Sequence, residues 1–429
     1  MPDITHLDAA RARKAVDAAR RAAVVDGRGR VAFDGCDPVA ATSGGWIALG
    51  AGGSPDEPPT TIGHFKTDLR LAGVTRLPVS VARELARHRG HLYLDGIASL
   101  TDGAAAAIAA HAGGGLSLDG LRRLSAAAAA ALGDHRGDLS LDGLRRLPAA
   151  AAVGLARHGG PLFLGGLERI STAAAAALAL HGGDLHFGSL ADLPARVAAH
   201  LARYRGQLHL HAVTTLSCAA ANALGGRQGY LCLRGLRRLS PAQARGLARH
   251  RGPLHLYAIA VDDAVATCLG RHSGALLVHL PDDLPAHRLE AILQHRGPVQ
   301  IAGLRTLDAA RAGLCAAQPC PGGIAGLSYL ALPGVATLTP AVAAILAGHR
   351  AGGLALDGLK TLTEATAREL VRHPLLALDG LERATDAVAA ILAAYRGHSL
   401  SLRSLRHVSP AAVAGLRDNP ALELPAAPR

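Results

Sequence analysis

The sequence predicts a right-handed α/β solenoid, with parallel strands on a concave face and short helices on a convex one. Three observations carry this. A pattern of about 23 residues recurs from Leu69 to Leu424, most clearly as LSLDGLRRLS (116–125), LSLDGLRRLP (139–148) and LCLRGLRRLS (231–240). Each copy opens on an LxL unit, whose alternation suits a short strand with one face buried. An Ala- and Leu-rich run then follows, long enough for two or three helical turns, and closes on a His. Self-similarity at such a period marks stacked supersecondary units, and strand–helix–strand crossovers between parallel strands are right-handed.

The elements follow in chain order. Residues 1–46 read as an N-terminal helix, MPDITHLDAARARKAVDAARRAAVV, followed by an irregular cap. That helix is charged and amphipathic and lacks the apolar core of a secretion signal. Ile47 in WIALG fits as an early copy, and Ser54 to Pro59 (SPDEPP) as a polar loop. The first apolar residue of each LxL then falls at Leu69, Leu92, Leu116, Leu139, Leu162, Leu185, Leu208, Leu231, Leu254, Leu276, Val299, Leu330, Leu354, Leu376, Leu400 and Leu422. Spacings are 22 to 24 residues, except for 31 between Val299 and Leu330. The solenoid is thus expected over 47–424 as about 17 units of 22–24 residues, with an irregular insertion near 308–329 and a tail at 425–429. The insertion holds Cys315 and Cys320, close enough in sequence to pair, and Pro319, Pro321, Gly322 and Gly323 predict a loop there.

Within a unit the strand leads to Gly-Leu, as at Gly120-Leu121, Gly143-Leu144 and Gly235-Leu236. Glycine permits a turn or a close backbone approach, and the leucine re-enters the core. Ser240-Pro241, Thr339-Pro340 and Ser409-Pro410 combine an N-cap residue with proline at the first helical position. The helix ends on His88, His111, His135, His158, His181, His250, His272, His295, His349 and His373; Tyr204, Arg227 and Tyr395 stand in that slot elsewhere. One such residue per repeat predicts a structural ladder bonded to helix-end or turn carbonyls. A line of stacked copies does not converge as a metal site must.

Composition narrows the function. The chain has 429 residues, 49% hydrophobic but only 3% aromatic, so Leu and Ala must do the packing. Net charge is +12, which keeps polyanionic partners open. Six cysteines, mostly scattered, are no disulfide framework. No run reaches the roughly 18 apolar residues of a membrane span, so a cytoplasmic setting without membrane association is expected.

The repeated L-x-L-x-G-L-x-x-L with its short helix resembles the bacterial leucine-rich-repeat proteins, over about residues 47–424, and looks closest to the Ala-rich variants of planctomycetes. The resemblance implies protein recognition. It departs from the common LxxLxLxxNxL form: Gly lies where the Asn ladder would be, and the His ladder precedes the strand. No catalytic motif of any family maps onto the chain.

The residues before, between and after the core positions of LxL face outward on the concave side. Early copies show Ser117, Asp119, Ser140 and Asp142; central ones show His186, His209, His211, Tyr230, Cys232, Arg234, His255, Tyr257 and His279. The latter predict a continuous His/Tyr/Arg patch over four or five repeats, extended by Tyr93 and Phe163, with Tyr and Arg as interface anchors. A second stripe, Arg122, Arg123, Arg145, Arg146, Arg237 and Arg238 with Arg169, Arg305, Lys360, Arg383 and Arg406, predicts a basic rim interrupted by Glu168, Asp192 and Glu382. Such a rim offers phosphate contacts, but base-reading and stacking motifs are lacking. Asp119, Asp142, Asp357 and Asp379 recur at one strand-exit slot, which favours turn chemistry over paired catalytic carboxylates. The expectation is a non-enzymatic scaffold for an unknown protein or peptide, with no cofactor and no catalytic residue. Polyanion binding at the rim is one alternative. A site on the central concave face is another: a hydrolase near Cys232 and His209, or a metal site at His209 and His211 with His186 and His255 in neighbouring rows.

Overall fold

The computed structural model describes residues 8–25, 68–257, 259–318, 329–349 and 352–425. The chain divides into two compact units, one reaching Ala223 and including Gly229–Gly235, the other comprising Leu224–Gln228 and the residues from Leu236 onward. Each is a right-handed α/β solenoid with parallel strands on the concave side and short helices on the convex side. In the first unit the strands run from Leu69–Arg70 to Leu231–Leu233, in the second from Leu254–Leu256 to Leu422–Glu423. The leucines that set the sequence register pair with one another. Leu69 lies against Leu92, Leu92 against Leu116, and so on to Leu208 against Leu231. In the second unit the series runs from Leu254 and Leu276 to Leu400 and Leu422. Val299 pairs directly with Leu330, so the longer spacing leaves the register intact. The loop at 319–328 with Cys320 lies outside the described residues, as do Ile47, the loop 54–59, the cap at 26–46 and the tail beyond 425. Cys315 itself is buried at the end of the helix Ala309–Ala316, and burial pushes its thiol up to about 12.

One repeat shows how the layers close. Leu116, Leu118 and Leu121 point inward from the strand and its exit, and Ala128, Ala129 and Leu132 meet them from the helix, all fully buried. Burying a leucine contributes roughly 1.5–3 kcal/mol. The helix Ala126–Leu132 has only seven residues, too few to persist alone. Its start is fixed by Ser125, whose hydroxyl accepts from the Ala128 amide at 3.0 Å. Thr101 and Ser171 cap in the same way, and Ser240 forms a full capping box with Gln243. Pro241, Pro340 and Pro410 sit in the first turn as predicted. Pro78, Pro148, Pro194 and Pro285 occupy the N-cap position itself, with no side-chain bond.

Glycine after the strand serves close approach rather than a left-handed turn. A Cβ at Gly120 would stand 2.2 Å from the Asp95 carbonyl oxygen, and one at Gly143 2.0 Å from that of Asp119. Among the described residues the glycines with positive φ are Gly303 and Gly352. The recurrent aspartates bond from repeat to repeat. Asp119 accepts from the Ser140 hydroxyl at 2.6 Å and the Asp142 amide at 2.9 Å. Asp379 does the same with Ser401 at 2.5 Å and the Arg403 amide at 2.9 Å. The N-terminal helix Ala9–Val25 packs on the helix Val79–Leu85, burying Ala12 and Val16, while Arg13 grips Glu84 through two bonds of 2.9 and 3.0 Å. That bond holds the Glu84 carboxyl below its ordinary range.

The residue closing each helix forms an internal ladder. His88, His111, His135, His158 and His181 are buried and stacked, with centroid separations of 6.1, 5.7, 5.9 and 5.9 Å. Tyr204 follows at 6.3 Å. In the second unit His250, His272 and His295 stack at 5.8 and 5.6 Å, and His349 and His373 at 6.0 Å. Two rungs carry an amide and escape a search for histidine. Gln318 donates to the Gly297 carbonyl at 3.3 Å, and Asn419 to those of Ala393 and Tyr395 at 2.8 and 2.9 Å. The common act of the slot is to reach back to the carbonyls of the preceding repeat. Tyr204 reaches Gly183, Tyr395 reaches Pro374 at 2.6 Å, and His158 Nδ1 lies 2.8 Å from the His135 carbonyl. Not every rung attains this. At His111, His135 and His181 the carbonyls of Gly90, His111 and Gly160 stand near enough to favour the charged ring, yet outside the geometry of a good hydrogen bond. At these rungs ring stacking, rather than the expected carbonyl bond, is the main contact.

Burial dominates the ionisation of the ladder. It lowers His111 and His181 to about 4 and His272 to about 3, with neighbouring imidazoles adding to the effect. His135, His158, His295, His349 and His373 shift the same way, also chiefly by burial. An unfolded histidine titrates near ~6.5, so below that pH the unfolded chain binds more protons than the folded one. The ladder's stabilisation is therefore present above about pH 6.5 and is lost as pH falls toward about 4. Urea midpoints should hold steady above pH 7 and fall steeply between pH 6.5 and 4; a flat profile there contradicts a neutral buried ladder. Gly143→Ala should destabilise by about 1–3 kcal/mol in urea unfolding, and an unchanged midpoint would show that the Asp119 carbonyl yields freely.

Candidate functional site

Strand register fixes what the concave face displays. In the first unit the central row reads Tyr93, Ser117, Ser140, Phe163, His186, His209 and Cys232 across successive strands. In the second it reads His255, Leu277 and Gln300, and then alanines at 331, 355 and 377. The serines are buried and committed to Asp95 and Asp119, so the early part of the face is small and self-satisfied. After Tyr93 at the start of the row, large rings resume at Phe163. Its ring stacks on His186 at 4.3 Å, His186 on His209 at 4.1 Å, and Tyr230 leans on His209 at 5.2 Å. His211 lies two residues beyond His209 on the same face of the chain, its ring set edge-on at 5.4 Å.

His186, His209, His211, Tyr230 and Arg234 are all half-buried, whereas Cys232, expected on display, is almost fully covered. Burial, followed by the charge of His211, lowers His186 to about 4. His186 is thus neutral at ordinary pH, and the stacked row presents flat, partly apolar rings. In the second unit Tyr257 tilts against His279 at 4.5 Å, and the Arg237 guanidinium lies 5.7 Å from the Tyr257 ring centroid. His255 and His279 are half-buried. Arg237, read from sequence as a rim residue, therefore also flanks the concave face.

The basic rim lies on the residues that follow each buried Gly-Leu. Arg122, Arg123, Arg145, Arg146, Arg237 and Arg238 are exposed. Backbone pairing continues along it as isolated parallel bridges, Arg238 with Ala260 and Arg383 with His407. Acidic residues one repeat on take up some of the charge: Arg145 pairs with Glu168, and Lys360 with Glu382 at 2.9 Å. Exposed pairs of this kind add little stability, but they dilute the field that a phosphate backbone would meet.

Two depressions stand out among the described residues. One lies at the rim, lined by Thr361, Arg383, Thr385 and His407, and the other beside His91 and Tyr93. Neither is lined by Cys232 or His209, and no convincing catalytic constellation is present among the described residues. No described helix is long and apolar enough to cross a membrane.

No protein-family model and no curated protein matches the chain. Among solved structures it is similar to a leucine-rich-repeat protein of Leptospira interrogans, at 16% identity over 83% of this chain and 94% of that one, TM-score 0.38. It is also similar to an internalin of Listeria monocytogenes, at 14% identity over 77% and 90%, TM-score 0.34. A third is the Toll–Spatzle complex of Drosophila, at 15% identity over 72% and 42%, TM-score 0.37. The description of this fold as a leucine-rich-repeat-like solenoid rests on its own strand register and repeat geometry.

If stacking against Phe163 keeps His186 out of water, Phe163→Ala should move the His186 midpoint up from about 4 toward ~6.5, as read from its imidazole proton shifts. An unchanged value would place the cause elsewhere.

Proposed function

We propose that this chain is a non-enzymatic scaffold that binds a protein or peptide on its concave face, and that it is a cytoplasmic protein akin to the Ala-rich bacterial repeat proteins of planctomycetes. One observation supports this above the others: the rings of Phe163, His186 and His209 form a half-buried row, with Tyr230 leaning on it from just before the next strand, in the central slot that several other repeats fill with Ser or Ala. The scaffold does not need rings there, since Ser117, Ser140, Ala355 and Ala377 complete the same sheet. Flat rings with a polar edge are good anchors because they bury area at little conformational cost. His211 and Arg234 on the same unit, and His255, Tyr257 and His279 on the other, supply further polar contacts in this reading. The lack of a disulfide framework supports the cytoplasmic setting.

The rim supports a second reading, polyanion binding, less well. Its charge is partly paired, and among the described residues no Phe, Tyr or Trp stands beside these arginines as a stacking platform along the rim, save Tyr257 near Arg237.

A pulldown from source-cell lysate, comparing the native chain with a His209→Ala/Tyr230→Ala/Tyr257→Ala variant of verified fold, separates the two. The proposal expects a protein recovered with the native chain and lost with the variant. Identical recoveries contradict it. Binding that weakens steeply with salt and disappears on replacing Arg122, Arg145 and Arg237 would favour the rim instead.

A further inference from the structure

The juxtaposition of His209, His211 and Cys232 goes beyond partner recognition and stands independently of it. The ligand-capable atoms of these three side chains all lie within 4.8 Å of one another. The fold enforces this in two ways. His209 and Cys232 are register partners on adjacent parallel strands, Leu208–Leu210 and Leu231–Leu233, so their side chains rise side by side at the inter-strand spacing of roughly 4.8 Å. His211 follows His209 by two residues, so both imidazoles leave the chain on one side. Within the first unit no other group of three His, Cys, Asp or Glu residues among those described converges so closely. The histidine ladder, far richer in imidazole, does not: its rings lie face to face in a line.

We infer that His209, His211 and Cys232 form a binding site for a single zinc-class divalent transition-metal ion. Two imidazoles and a thiolate are the donor set that zinc and its spectroscopic substitute cobalt(II) accept, whereas calcium and magnesium require oxygen. Tetrahedral bonds of about 2.0–2.3 Å place ligand atoms roughly 3.3–3.7 Å apart. The present separations, all within 4.8 Å, exceed this by roughly 1–1.5 Å at most. Cys232 is buried at 1% exposure while both histidines are half-buried, so the ion would sit at the floor of the concave face and be reached from solvent. On binding, the thiol proton leaves to solvent and the sulfur bonds the ion as thiolate, with no change in oxidation state. Three protein ligands leave a fourth position for water. His186 stacks on His209 and Tyr230 leans on it; both hold the His209 ring, as outer groups do around ligating histidines.

The test uses the full chain, stripped of metal by chelation and then titrated with cobalt(II). The inference expects a thiolate-to-cobalt charge-transfer band in the near ultraviolet that saturates at one equivalent and is bleached by zinc. Cys232→Ser should abolish the band. His209→Gln and His211→Gln should each weaken binding at least about tenfold, the lower end of what loss of a supporting outer group does. Two controls, Cys218→Ser and His287→Ala, should leave band and stoichiometry intact. Circular dichroism on each variant establishes that it is folded. In addition, zinc should raise the thermal midpoint of the native chain and not that of folded Cys232→Ser. Absence of the band in the native chain, or a band of full intensity in Cys232→Ser, overturns the site. The band is read with no partner present, and Cys232→Ser leaves the rings of His209, Tyr230 and Tyr257 in place for partner capture, so the two readings fail separately.

Discussion

The one-per-repeat ladder between strand and helix layers is the constraint on which the rest of the structure depends. A unit of some 23 residues cannot bury its own leucines, and its helix of seven or eight residues cannot stand alone. Each unit must therefore seat on its neighbour in a single register, and a buried polar group is an effective way to define one, because misplacing it leaves it unpaired. The ladder separations of 5.6–6.3 Å fall between the strand spacing of roughly 4.8 Å and a helix-packing distance of about 8–10 Å. A flat ring fills that intermediate gap with its faces, while its nitrogen, hydroxyl or amide turns to the carbonyls behind. This explains why His, Tyr, Gln and Asn can alternate in one slot. Each presents a donor at a similar reach; burial keeps rungs such as His111 and His272 neutral, and Arg227, buried in the same slot, is the charged exception.

Two other ladders hold the margins of the same layer. The Gly slot after the strand brings backbone against the carbonyl of the previous unit. The Asp119-type carboxylate beside it takes up the amide left over. Desolvation raises Asp142 and Asp357, with backbone bonds partly opposing the shift. The core is therefore framed by polar lines, so leucine and alanine can fill it without aromatic bulk. That leaves the outward central slot free to vary, from serines that bond the aspartate line to Phe163, His186, His209 and Cys232.

Much of this was legible in the sequence because period and strand register are the same quantity in a solenoid. Leu69 to Leu422 line up as their spacing requires, and the Ser-Pro and Thr-Pro helix starts behave as capping chemistry dictates. What escaped had physical reasons. Gln318 and Asn419 share a position with histidine but not its letter, and only the reach to a carbonyl unites them. Exposure of Cys232 was misjudged because alternation tells which side a residue faces and not what covers it. The convergence of His209, His211 and Cys232 depends on which residues are direct register partners. A 23-residue spacing suggests that pairing but cannot give the separations. The division into two compact units left no trace in the repeat pattern, which runs through Ala223 and Leu236 at an even 23 residues.

The claim at the centre of this account is that each ladder residue holds its own repeat to the ones beside it. Native-state hydrogen exchange on His158→Ala tests it most directly. The expected result is a loss of protection concentrated in the strands Leu139–Ser140, Leu162–Phe163 and Leu185–Phe187, with protection retained further along the same unit at Leu92–Tyr93. Unchanged protection at those flanking strands would contradict it, and would mean that the leucine layers keep the repeats in register without the ladder.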